Sequence, residues 1–436
     1  MKEEIQQTRL PNGLTILTDR MPGVRSATLG FFFRVGSRQE PNELNGISHF
    51  IEHTVFKGTA KRTALDIAIE QDRLGGNLDA FTSHEETGFA IKVIDDQLPH
   101  AFDLIADMLV NPRFDEADLR AEQKVIIEEM KMVEDSPEDH LGDLFNEAVF
   151  GSHPLGMSIA GTPETVRSFD PEKTRKYFVE TYNAGNLVIA AAGNVEHDAL
   201  LELTAKTFST QRPQGTRRET IYKDSASSAV SALDLPPSLA APIIIKQNPN
   251  LEQAHLIIAT PLVAATDERR YAADLLSNII GGGTSSRLWQ KIREERGLAY
   301  SVGASAVMYQ DVGMFSIFAG TSPDQVEEVV ELAIAEMRDV AKNGVTVDEL
   351  DLAKAQTTAS ILLGLEDSAG RAATLAQSEM VHGRQISLDE ALTAINAVTP
   401  DEIHALTNEH FRTENVMFAA LGDLKDITIG REHLAI

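Results

Sequence analysis

The sequence predicts an α+β protein of two homologous domains, each a mainly antiparallel sheet with helices packed on it. Three observations carry that prediction. At 436 residues the chain is too long for one ordinary core, and two or three domains are expected. It repeats itself weakly: Pro171 matches Pro400, Asn186 matches Asn415 and Gly193 matches Gly422, each pair 229 residues apart. Strand and helix patterns also mix without strict βαβ alternation.

Taken in order, the first half opens on the apolar strand patterns LTILTD and SATLGFFFRVG, and the second on HLIIATPL. The stretch GFAIKVIDDQLPHAFDLIADML, a strand running into an amphipathic helix, is echoed by GMFSIFAGTSPDQVEEVVELAIAEM. Glu134-Asp135-Ser136 is echoed by Glu366-Asp367-Ser368, and the strand NLVIAAAG by ENVMFAALGDL. Between the halves lies a Ser-, Ala- and Pro-rich stretch that suits an extended connector. The expected division is therefore 1–212 for the first domain, 213–245 for a linker and 246–436 for the second domain.

Composition narrows the function classes. Lys and Arg number 39 against 66 Asp and Glu, a formal net charge of −27 shared by both halves. Such acidity repels phosphate backbones, so nucleic acid and anionic membrane surfaces are not expected partners. No apolar run reaches the length of a membrane span. The N-terminus shows no basic stretch leading into an apolar one, so no secretory signal is expected and a cytoplasmic location is the default. There is no cysteine. Thiol nucleophiles, disulfides and Cys-bound metals are thereby excluded, and any metal must be held by His, Asp or Glu.

The segment ISHFIEHTVFKGT places His49, Glu52 and His53 at i, i+3 and i+4 of a predicted helix, on one face. Two neutral imidazoles one turn apart can grip a divalent metal, and the carboxylate between them can reach a metal-activated water. The order H-x-x-E-H is the inverse of the commoner metalloprotease helix motif. Two surface histidines paired with a glutamate would read the same way. A catalytic zinc wants a third protein ligand. The predicted helix from Asp115 to about Val133 carries Glu122 and Glu129, two turns apart on one face, with Glu128 pointing elsewhere. The same pattern also suits a solvated acidic helix.

Over nearly its whole length the chain resembles the M16 metallopeptidases: pitrilysin, insulysin and the mitochondrial processing peptidase, and most of all their bacterial processing-peptidase-like branch. The likeness runs through LPNGLTILTD, VGSRQEP, GISHFIEHTVFKGT, GGNLDAFTSHEETGF, AEQKVIIEEM, GGGTSSRLWQKIREERGLAYSV and ALGDL. It implies one zinc ion per chain on His49, His53 and Glu129, Glu52 as general base and Glu122 as a supporting acid that orients a ligand. It also implies two lobes facing each other as a clamshell around an enclosed chamber. Arg293 and Tyr300 match the family's Arg/Tyr pair, which would stabilise the oxyanion. Without the resemblance, Arg293 is a favourable charge at a helix C-terminus and Tyr300 an ordinary strand residue.

The segment Asp79, Ala80, Phe81 and Thr82 resembles the family's edge strand that pairs with substrate backbone, though Asp79 stands where many members have Asn. His84 lies beside it, a candidate substrate contact. The Gly281-Gly282-Gly283 stretch lacks the lysine and spacing of a phosphate loop, so nucleotide binding is rejected. In the second half Glu122 and Glu129 fall on Lys354 and Ile361, so that half is expected to hold substrate without a metal. The expected function is a zinc endopeptidase acting on peptides or unfolded segments, basic ones above all. The alternative is a non-catalytic or heterodimeric assembly subunit. The intact motif set and the presence of both the metal ligands and the Arg/Tyr pair in one chain favour an active homodimer.

Overall fold

A computed structural model describes residues 3–208, 237–425 and 427–436. Eleven strands lie among them: β1 (Ile5–Arg9), β2 (Thr15–Arg20), β3 (Ser26–Phe33), β4 (Leu78–Thr82), β5 (Thr87–Ile94), β6 (Leu187–Gly193), β7 (Ile243–Gln247), β8 (Ala254–Leu262), β9 (Ala299–Met308), β10 (Gly313–Thr321) and β11 (Met417–Gly422). They form two sheets, ordered β1-β2-β6-β3-β5-β4 and β7-β11-β8-β10-β9. All neighbours are antiparallel except β2 with β6 and β7 with β11. Leaving out β1, the two orders superimpose strand for strand, so the sequence repeat is a repeat of architecture.

The matched residues fall at matched places. Pro171 and Pro400 each open an 11-residue helix, where a missing N–H costs nothing. Gly193 and Gly422 each close a strand. The echoed strand–helix stretches are β5 followed by the helix Leu98–Val110, and β10 followed by the helix Val326–Asn343.

Each sheet is covered on both faces, which is why β3 and β6 read as nearly continuous apolar runs. On one face of the first sheet Leu29, Phe31, Phe89, Ile91 and Ile189 pack with Phe50, Phe102 and Ile105 from helices of the first half. On the other face Leu17, Phe32, Val188 and Ala190 pack with Leu375 and Ala376 of the helix Ser368–His382. That helix comes from the second half of the chain. Conversely, Leu141, Phe145 and Val149 of the helix Pro137–Phe150 pack on Ala259, Met314 and Met417 of the second sheet.

The compact units are accordingly discontinuous. One comprises Met1–Lys131, Met157–Leu235 and Leu362–Ser387, and the other Met132–Gly156, Pro236–Ile361 and Leu388–Ile436. The division at 1–212 and 246–436 expected from sequence is continuous and does not contain this exchange. The two exchanged helices are those that follow the echoed Glu-Asp-Ser triplets. Most of the expected linker lies outside the described residues, and its last three residues, 243–245, open strand β7.

Buried polar bonds fasten Ser368–His382 to the first sheet. Arg371 pairs with Asp19, both nearly inaccessible. Thr28 Oγ1 bonds Ser368 Oγ at 2.8 Å, and Glu379 accepts from Arg9 at 2.5 Å and Gln7 at 3.0 Å. Burying a charge is tolerable only when paired, so these contacts select one docking register.

Candidate metal centre

The helix Ile47–Thr54 buries Ile47, Phe50, Ile51 and Thr54 against the core, and this phasing turns His49, Glu52 and His53 to its other face. Gly46 enters the helix at φ 92°, and a Cβ there would meet the Ala160 carbonyl oxygen at 2.5 Å. The helix Glu116–Asp135 begins directly after Asp115 and runs two residues beyond the expected end. Leu119 and Ile126 anchor it, and Glu122 is buried beside them.

His49, His53 and Glu129 come together with one potential ligand atom each, all within 4.8 Å of one another. Glu129 Oε2 stands 3.8 Å from His49 Nε2 and 3.6 Å from His53 Nε2. That same oxygen is buried and has no hydrogen-bond partner. A buried carboxylate oxygen left unpaired while facing two imidazole nitrogens is the expected state of a ligand atom. The residues fit a zinc ion.

The charges agree. Burial, followed by the neighbouring His53, lowers the His49 pKa to about 4, so the ring is neutral near pH 7, as a ligand must be. Burial opposes protonation of His53 too, but its bond to Glu122 and the charges of Glu52, Glu129 and Glu122 outweigh it and raise the pKa. Three carboxylates thus draw positive charge to this point. Glu122 Oε2 takes His53 Nδ1 at 3.2 Å, which turns Nε2 toward Glu129, and Lys57 Nζ holds the other oxygen of Glu122 at 2.7 Å. Burial would raise Glu122, yet the bonds from His53 and Lys57 hold it below the usual carboxylate range.

Glu52 Oε2 accepts from Thr82 Oγ1 at 2.7 Å. Burial raises Glu52, with the Thr82 bond and His53 opposing. A raised carboxylate beside a metal site is suited to taking and returning a proton. Thr82 ends β4, which forms one edge of its sheet. Ala80 packs into the core on the metal side, while Asp79 and Phe81 alternate to the other face, where Phe81 meets the ring of Phe32 at 6.5 Å. His84 Nδ1 is bonded to Ser37 Oγ at 2.8 Å.

Arg293 and Tyr300 belong to the second unit. The Arg293 guanidinium is stacked 4.0 Å from the Trp289 ring and 4.6 Å from that of Tyr300, which is 78% exposed. At the positions matching the metal-side glutamates, Lys354 Nζ instead donates to the carbonyls of Asn396 and Val398, and Ile361 packs against the core.

Three parts of this arrangement were not anticipated from sequence. Lys57 lies one turn past His53, a spacing that was visible. The Thr82–Glu52 bond and the buried Glu40, bonded to the start of the helix Ile47–Thr54, have no local sequence signal.

The chain is similar to known proteins along nearly its whole length. Residues 15–163 match the insulinase (peptidase family M16) model, and residues 168–357 match the model described as the peptidase M16 inactive domain. An uncharacterized zinc protease of Streptomyces coelicolor is 38% identical over 433 residues, 99% of this chain and 92% of that protein. The chain belongs to the M16 peptidase family. An uncharacterized zinc protease of Bacillus subtilis is 35% identical, over 96% of this chain and 98% of its own. Among solved structures, a protease from Helicobacter pylori superimposes with a TM-score of 0.86 at 22% identity, covering 96% of this chain and 100% of that one. A chain of Complex III2 from Candida albicans shares the fold at a TM-score of 0.83 and 20% identity. The M16 match accords with the bacterial-branch resemblance, and no helix among the described residues is long and apolar enough to cross a membrane.

Proposed function

We propose that this M16 protein is a zinc-dependent endopeptidase that cleaves peptides or unfolded segments, with one zinc ion per chain held by His49, His53 and Glu129. The observation that carries the reading is the unpartnered, buried Glu129 oxygen facing both histidine Nε2 atoms. When bound, zinc supplies Lewis acidity to a peptide carbonyl and makes a water molecule more acidic. Glu52 takes a proton from the attacking water and returns it to the leaving amine, oriented meanwhile by Thr82. Glu122 keeps His53 in the tautomer that offers Nε2. The β4 edge, Asp79–Thr82, pairs with substrate backbone, which gives affinity with little dependence on sequence. Arg293 and Tyr300, whose side chains lie against each other, are assigned to the developing oxyanion.

Both the ligand set and the Arg/Tyr pair are in one chain, which supports a homodimer over a heterodimer. A cytoplasmic location belongs to the same proposal. The test is zinc analysis with a peptide-cleavage assay on wild type and Glu52→Gln. One zinc per chain in both, and cleavage lost about 10²–10⁴-fold in the variant, are expected. Retained cleavage in Glu52→Gln, or an active preparation free of zinc, would overturn the mechanism. A metal-free wild type without peptidase activity would favour the assembly-subunit alternative, and mass measurement of the purified protein checks the dimer.

A further inference from the structure

The proposed hydrolysis makes no use of Glu40, yet the residue is only 2% exposed and its carboxylate carries several directed bonds. Oε2 accepts the Gly46 N–H and Oε1 the Ser48 N–H, each at 2.7 Å. Asn45 Nδ2 approaches Oε2 at 3.4 Å and also reaches the Ser158 carbonyl at 2.9 Å. The N–H groups at the entrance of the helix Ile47–Thr54 have no partner within the helix and carry the positive end of its dipole. Gly46 stands at the N-cap and has no side chain to satisfy them. Glu40 does so from six residues upstream. Ser48 is adjacent to His49, so the cap acts on the first turn of the helix that bears the histidines.

The residues before Glu40 hold a different element. Ser37 N–H donates to the Ser83 carbonyl at 3.1 Å and Arg38 N–H to that of His84 at 2.8 Å. Arg38 Nη1 pairs with Glu85 at 2.6 Å. A Cβ on Gly36 would lie 2.3 Å from the Ser83 oxygen, so this approach requires glycine. Ser83–Glu86 is the tip of the β4–β5 hairpin, directly after Thr82.

We propose that Glu40 is a positioning residue for the metal-binding helix, and that Gly36–Glu40 is a clamp setting the distance between that helix and edge strand β4. One end of the segment fixes the first turn of the helix carrying His49, Glu52 and His53, and the other fixes the strand whose Thr82 orients Glu52. A cap lost at such a point lets the helix entrance fray, and only the fraction of molecules with the turn formed can bind metal tightly. The inference rests on the zinc reading above.

The test uses the full chain as Glu40→Gln and Glu40→Asp, the second keeping the carboxyl group but stopping one methylene short. Leu375→Ala, in the core on the opposite face of the same sheet, serves as a control for lost stability. Zinc affinity is measured by chelator competition, the ligand field from the visible spectrum of the cobalt-substituted protein, and kcat and KM per bound metal. Both Glu40 variants should bind zinc about tenfold more weakly and shift the cobalt spectrum. Their kcat should fall while KM stays within about twofold. Leu375→Ala should lose thermal stability and keep its zinc affinity. If Glu40→Gln does not fold, Glu40→Asp carries the comparison. Wild-type zinc affinity in the Glu40 variants, or equal weakening in Leu375→Ala, overturns the proposal. Absence of zinc from the wild type would instead sink the metal reading, and the clamp with it.

Discussion

His53 and Glu122 meet at 3.2 Å through Nδ1 and Oε2, and that bond decides which ring nitrogen faces Glu129. Lys57 steadies the same carboxylate from its other side at 2.7 Å. The orientation of one candidate ligand is therefore set by a residue outside the His49, His53 and Glu129 group.

Glu122→Gln keeps the shape and removes the charge that orients His53. Zinc affinity should fall about 10- to 100-fold, read by chelator competition, with the folded content unchanged by circular dichroism. Unchanged affinity would show that Glu129 and the packing of the ring suffice.

Thr82→Val removes the hydroxyl on Glu52 at nearly constant volume. A hydrogen bond to a charged group is worth about 1.5–3 kcal/mol. We expect kcat to drop about tenfold while zinc stoichiometry stays as in wild type. Equal loss of zinc would mean that Thr82 supports the whole site and not the base alone.

Arg371→Leu leaves the Asp19 charge buried without its partner. The cost should be about 3–5 kcal/mol of stability, seen as a lower denaturation midpoint. Adding Asp19→Asn should recover part of it. A single variant as stable as wild type would mean that Ser368–His382 docks through its apolar face alone.

Glu349 supplies a pH test in the second unit. Burial would raise its pKa, but the Arg287 guanidinium and the Thr346 N–H and hydroxyl hold it down at about 2. A carboxylate depressed on folding contributes stability above its unfolded pKa and loses it as pH falls through the folded one. Glu349→Gln should therefore be less stable than wild type at neutral pH. The difference should shrink below the usual carboxylate range and be gone near pH 2, by denaturant titration at each pH. A gap constant with pH would place the effect in packing.

The net charge of −27 bears on substrate choice. Basic peptides should show higher kcat/KM than acidic ones at low ionic strength, and the gap should close as salt shortens the screening length. Equal values at low salt would remove charge from the account of specificity.

The candidate ligand faces were legible because helix geometry is local. An i, i+3, i+4 spacing fixes the faces of His49, Glu52 and His53, and a spacing of seven does the same for Glu122 and Glu129. That the two helices meet was implied only by the family resemblance. The repeat was legible for the same local reason, since Pro171 and Pro400 or Gly193 and Gly422 punctuate elements where they stand. That Asp79–Thr82 forms an edge strand was implied by the resemblance, yet nothing in the sequence says that Thr82 reaches Glu52.

The sequence by itself thus determined the strands, the helices, the two-fold plan and the residues able to hold zinc. These depend on periodicity, caps and turns within a few residues of one another. The tertiary structure alone decided the exchange of Pro137–Phe150 and Ser368–His382 between units, the Lys57–Glu122–His53 relay and the Glu40 cap. Each depends on groups brought together by the packed chain, and either half of the repeat offers a helix of similar pattern to either sheet. Buried pairs such as Arg371 with Asp19 make one pairing cheaper than the other, and that preference exists only once both partners have left water.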